Sequence, residues 1–191
     1  MCVGSRRLLT RCRQWDHGAV RVVLDEWIVG DGQLTEPLVG EVIAHRMLTM
    51  SCDRLTPVAA GSAVTNESQP RSGVVTWRGS SNNGDAAVLD CGFPLRIESR
   101  INVQKGRPAT GQRATRVPGV REWLVPVPLK VPAVGSSCLA WGEIRIAAAH
   151  EMEDDMLEEG FPDIRRAWRI LRVESGEAGR CWILELEVVN P

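Results

Sequence analysis

The stretch from Gly73 to Ile101, GVVTWRGSSNNGDAAVLDCGFPLRIESRI, restricts the possible folds more than any other part of this chain. Leu95, Ile97, Ser99 and Ile101 alternate with Arg96, Glu98 and Arg100. Successive side chains of an extended strand point to opposite faces, so this run presents one apolar face and one wet face. Val75 and Trp77 share a face of an earlier run, and Ala87, Leu89 and Cys91 share one of the run between. Asn82-Asn83-Gly84-Asp85 supplies residues that tolerate positive φ in a hairpin connection, and Gly92 with Pro94 tightens the second reversal. The pattern predicts a three-stranded antiparallel meander whose edges the rest of the chain must cover.

Further strands are expected on both sides of it. Val20 to Val29 is rich in β-branched residues and reads as a strand. Leu38 to Met50 has an apolar side on a helical wheel, but Gly40 inside a helix costs about 1 kcal/mol, so the run is read as a strand. Trp123, Val125, Val127 and Leu129 alternate with Leu124, Pro126 and Pro128. Proline has no amide hydrogen, which places this strand at a sheet edge. Cys138 to Ala148 sets Ile144 and Ile146 opposite Glu143 and Arg145, and Trp182, Leu184, Leu186 and Val188 alternate with Ile183, Glu185 and Glu187. Ile164, Ala167, Trp168 and Leu171 fit a helical stripe, yet Ser175 to Gly179 looks like a hairpin loop, so Arg165 to Glu174 is read as the partner of the last strand. The fold expected is mainly β: a single-domain antiparallel β-barrel or sandwich of about eight or nine short strands with one or two short helices.

Residues 1–18 carry Arg6, Arg7, Arg11 and Arg13 and read as a flexible basic N-terminal tail, with one β-rich domain over 19–191 and loops at 51–72 and 102–120. Ser5-Arg6-Arg7 has the outline of a twin-arginine export signal, but Arg11, Arg13, Gln14 and Asp16 interrupt the apolar region such a signal needs. At 43% hydrophobic and 25% charged residues the chain has a globular composition, and it contains no apolar run long enough to cross a bilayer. The six cysteines form no C-x-x-C pair, which suits reduced, buried thiols and a cytoplasmic protein. The basic residues are almost all arginine, with only Lys105 and Lys130 as lysines, a bias that reads as the imprint of a GC-rich bacterial genome.

A net charge of -1 gives no global attraction to nucleic acid or membrane, so function must come from local patches. Two stand out. From Arg100 to Arg121 the basic residues include Lys105, Arg107, Arg113 and Arg116 with no acidic residue among them, a segment suited to phosphate or nucleic acid. A small barrel beside such a loop resembles the oligonucleotide-binding folds in outline, although those stack bases on exposed aromatics, and here tryptophan would have to serve. The second patch, His150 to Asp163, holds Glu151, Glu153, Asp154, Asp155, Glu158 and Glu159 with no basic residue, and is expected to form a short acidic helix that docks a basic partner or attracts the arginine segment of the same or a second chain.

His150, Asp154 and Glu158 at four-residue spacing match no known metal motif, and neither metal nor cofactor is expected. Catalytic signatures are missing: there is no G-x-S-x-G elbow and no phosphate-binding glycine loop. His45 with Cys91 or Cys52 is the one conceivable base and nucleophile, and supports a third reading as a small hydrolase or thiol enzyme. The first expectation is a non-catalytic binding protein of the bacterial cytoplasm that contacts a protein partner through its charged segments. Nucleic acid is the alternative partner, and no membrane role is foreseen.

Overall fold

The β-branched and alternating runs pair across the chain as well as with their neighbours. The computed structural model describes residues 19–58, 70–81, 84–110, 112, 114–119, 121–156, 160–176 and 180–189. In chain order these form β1 (Ala19–Asp25), α1 (Glu26–Gly30), β2 (Val42–Arg46), β3 (Leu48–Pro57), β4 (Arg71–Ser81), β5 (Gly84–Asp90) and β6 (Pro94–Ser99). They continue with β7 (Ile101–Lys105), β8 (Thr115–Arg116), β9 (Glu122–Pro126), β10 (Ser137–Ile146), α2 (Ala149–Met156), β11 (Arg166–Ser175) and β12 (Cys181–Val188). The fold is mainly β, as the alternation implies. Among the described residues no helix is long and apolar enough to cross a membrane.

β10 organises the sheet. Its first residues, Ser137–Ala140, pair with β4 on one side, while Cys138 onward pairs with β3 on the other. β3 then pairs with β6, β6 with β5 and β5 with β4, so five strands return to β10 and the sheet is ring-like. Near its far end Arg145 of β10 faces Val23 of β1 in parallel, and from there an arm continues through β12 and β11 to β2. β10 can serve both partners because it bends: the β3 register shifts between Trp141 and Gly142, and a β-carbon at position 142 would run into the backbone oxygen of Ser51. Only glycine permits that approach.

One hydrophobic cluster fills ring and arm together, with Val22, Leu24, Met50, Leu95, Ile97, Ile170, Leu184 and Leu186 buried in it. Each such side chain contributes about 1.5–3 kcal/mol by leaving water. Trp168, fully buried in β11, packs edge-on against Phe93 of the β5–β6 turn at 5.7 Å and donates its indole N–H to the backbone oxygen of Arg46 at 2.9 Å. A smaller cluster of Met47, Val88, Ala147 and Ile164 lies on the other face of the ring, where Trp77, Met152 and Phe161 join it beneath α2.

Several local expectations need correction. The strand at Val20 stops at Asp25, and Glu26–Gly30 makes a helical turn, with Asp31 donating to the Trp27 oxygen at 2.8 Å. The expected 51–72 loop is strand as far as Pro57 and again from Arg71, because Met50, Cys52 and Leu55 turn inward while the polar residues between them face out. The expected 102–120 loop contains β7 and β8, which flank β9 in a separate three-stranded sheet. β9 is therefore central, and its proline is accommodated because β8 opposes only Trp123 and Leu124, leaving Pro126 beyond it. Val75 and Trp77 do not share a face: the β4–β5 register shifts between them, sending Val75 into the large cluster and Trp77 into the small one. The basic tail at 1–18 lies outside the described residues.

Candidate functional site: a charged cleft on the outer face

The wet face of β6 does not meet bulk solvent alone; β3 lies beside it and β10 beside β3. Pairing aligns their outward residues in rows. Thr49 stands between Arg145 and Arg96, and the next outward row sets Ser51 between Glu143 and Glu98. One further step along, Arg100 donates to Asp53 at 2.7 Å. These rows line an open cleft of about 630 Å³ whose other walls come from Asp25 at the end of β1, Trp27 and Ile28 of α1, Ile101 at the start of β7 and Glu151 of α2.

Ion pairs hold the charges in place. Arg145 donates through Nε to Glu143 at 2.8 Å and through Nη1 to Asp25 at 3.0 Å, linking β1 to β10 where they share a single aligned pair. Partial burial acts to lower the pKa of Arg145, but its bonds to Glu143 and the charges of Asp25 and Glu143 outweigh this and raise it. Arg96, almost wholly buried in register with Thr49, donates to Glu98 at 2.8 Å. Glu151 accepts from the Ala148 amide at 2.7 Å, so its carboxylate is fixed at the start of α2. Trp27 is 44% exposed at the mouth and tilts against the His150 ring at 5.9 Å.

The balance of charge is negative. Asp25, Asp53, Glu98, Glu143 and Glu151 line the cleft with Arg100 and Arg145. Thr49 is only 6% exposed and lines the cleft, and among the described residues its hydroxyl oxygen has no hydrogen-bond partner. A buried hydroxyl left so costs roughly 1–3 kcal/mol, and a donor brought into the cleft would satisfy it.

The two charged segments read from the sequence meet at this cleft only through their first residues, Arg100 and Glu151. Lys105, Arg107, Arg116 and Arg121 project from the small sheet; all four are exposed, and among the described residues none makes an ion pair or side-chain hydrogen bond. The backbone bond from Gly106 to the Arg121 oxygen brings Lys105, Arg107 and Arg121 to one tip. Arg116 lies in register with Trp123. Glu153 is exposed on α2, while Arg113, Glu158, Glu159 and the side chains of Asp154 and Asp155 lie outside the described residues. Among the described residues no three carboxylates, imidazoles or thiols converge as metal ligands do.

His45 sits on the edge strand β2 with φ 53, exposed, and no described side chain bonds to it. Cys52 faces the ring interior, and its thiol donates to the Arg54 oxygen at 3.2 Å. Burial pushes the Cys91 thiol up to about 12 and that of Cys138 to about 11. These thiols stay protonated at neutral pH, and the structure does not bring His45 to Cys52 or Cys91.

Sequence reasoning passed over Thr49, Ser51, Asp53 and Asp25 as site residues. The outward half of the alternation at Arg96, Glu98, Arg100, Glu143 and Arg145 was the available signal, but nothing in the sequence placed β3 between β6 and β10. No protein-family model matches the chain, no curated protein matches it in sequence, and no solved structure matches its fold.

Proposed function

We propose that the chain is a non-catalytic binding protein of the bacterial cytoplasm whose charged cleft docks a basic segment of a protein partner. The observation that carries this reading is the surplus of carboxylates around a buried, unpartnered Thr49 hydroxyl. Positive side chains of a partner would find Glu98 and Glu143 on either side of Ser51, two strand spacings or roughly 10 Å apart, with Trp27 to cover an aliphatic stem. Complementary charge of this kind raises association rates and selects partners. The free state of Cys52, Cys91, Cys138 and Cys181 supports a reducing compartment.

The test is affinity isolation from native cytoplasm, with and without nuclease, using the wild type and a Glu143→Gln, Glu151→Gln double variant. A nuclease-resistant partner retained about tenfold less well by the variant, a difference of about 1.4 kcal/mol, supports the reading. Equal retention by both proteins rejects it. A second reading, nucleic-acid binding, is favoured by one observation: Lys105, Arg107 and Arg116 carry no described partner, and Trp123 lies beside Arg116. It requires oligonucleotide binding that weakens steeply with salt and disappears when Lys105, Arg107 and Arg116 are changed to Glu.

A further inference from the structure

We infer that the basic segment received by the cleft belongs to a second copy of this chain, joined through the open edge of β7. The inference rests on the cleft being a docking surface. β7 is the outer strand of the small sheet, and among the described residues it pairs only with β9. Val103 at its centre is 61% exposed, and an open edge carrying an exposed apolar residue is a template for another strand.

The two ends of β7 carry opposite character. At its start Ile101 lines the cleft beside the surplus of carboxylates, and at its end Lys105 begins the basic tip with Arg107 and Arg121, which have no ion-pair partner among the described residues. From Ile101 to Lys105 the strand covers four steps, roughly 14 Å. Two copies of β7 paired antiparallel about Val103 set Asn102 against Gln104 and Ile101 against Lys105. Lys105 of each copy then stands opposite Ile101 at the cleft mouth of the other. The contact repeats itself under a two-fold rotation, so it closes at a dimer and does not propagate. The open edge of β2 lacks this complementarity: Val42 is exposed, as are Leu38 and Val39 before it, and His45 leaves the extended conformation.

Light scattering on the full chain tests the inference. At low ionic strength the expected mass is twice 21.0 kDa, falling to 21.0 kDa near 1 M salt, where screening shortens to about 3 Å. Val103→Lys places like charges face to face and is expected to give monomer at every salt concentration with an unchanged β-type circular dichroism spectrum. Val103→Cys, which meets its own copy across the axis, is expected to form a covalent dimer on mild oxidation that the wild type, with its native cysteines, does not form. A monomeric wild type at low salt, a Val103→Lys protein that remains dimeric, or a dimer lost instead with Val42→Lys overturns the inference. If the wild type is monomeric yet still retains a cellular partner through the cleft, the dimer is refuted and the docking reading stands. If it dimerises yet retains nothing further, the cleft serves self-association alone.

Discussion

Replacing Thr49 with valine separates what the cleft does for folding from what it does for binding. The hydroxyl is buried and has no hydrogen-bond partner among the described residues, and Thr49 stands in register between Arg145 and Arg96. Valine keeps the β-branched shape that suits β3 and exchanges the hydroxyl for a methyl group. Removing a buried hydroxyl that lacks a partner recovers about 1–2 kcal/mol of its desolvation penalty. For a chain of 191 residues that corresponds to roughly 2–8 °C in Tm. Urea titration followed by circular dichroism, with the slope unchanged, is the assay. In the same protein retention of the basic partner should fall by about fivefold, the loss of one hydrogen bond of roughly 1 kcal/mol. Thr49→Ser provides the contrast, since it keeps the hydroxyl and should retain the partner while losing stability through its missing methyl. If Thr49→Val is less stable than wild type by more than about 0.5 kcal/mol, the hydroxyl has a partner in the free protein and the cleft floor is not waiting for one.

The alternation that reveals strands also conceals the site. β6 and β12 were legible because each turns one apolar face inward, and β11 because its hairpin partner was plain. β3 was missed beyond Met50 because Ser51, Asp53 and Arg54 interrupt Cys52 and Leu55, and a polar run with a bulge has no clean period. Of those polar residues, Ser51 and Asp53 line the cleft. Period-two reasoning assigns a residue to a face, but register assigns it to a neighbour, and register here is set by long-range pairings such as Ser51 with both Glu143 and Glu98. Trp168 shows the same limit from the inside: its spacing fitted a helix as well as a strand, and only the Arg46 oxygen and the Phe93 ring identify it as the centre of the arm. Arg96, expected on a wet face, is buried in register with Val88, whose cluster Met152 of α2 and Phe161 join.

Gly142→Ala is expected to cost about 2–3 kcal/mol in urea titration, because its β-carbon meets the Ser51 backbone and overpacking of that kind strains both strands. A variant as stable as wild type would mean that β10 and β3 can move apart there. Trp168→Phe should cost about 2–4 kcal/mol by leaving a cavity and an unsatisfied Arg46 oxygen, and it should remove the tryptophan fluorescence least accessible to quenchers. Alkaline pH isolates the thiols, since the chain has no tyrosine and its only lysines are Lys105 and Lys130. Burial holds Cys91 at about 12, with the charge of Arg71 opposing and Cys138 and Asp90 reinforcing it, and holds Cys138 at about 11. Because these folded values lie above the ordinary thiol value, the unfolded chain releases its protons first as pH rises past about 9. Their stabilisation is therefore complete at neutral pH and declines above about pH 9, by about 1.4 kcal/mol per pH unit for each thiol, until the folded thiols ionise as well. A Cys91→Ala, Cys138→Ala double variant should start less stable at pH 7.5 and lose less between pH 9 and 10.5. If its stability falls as steeply as that of the wild type over that interval, the thiols are not the groups that make the ring alkali-sensitive.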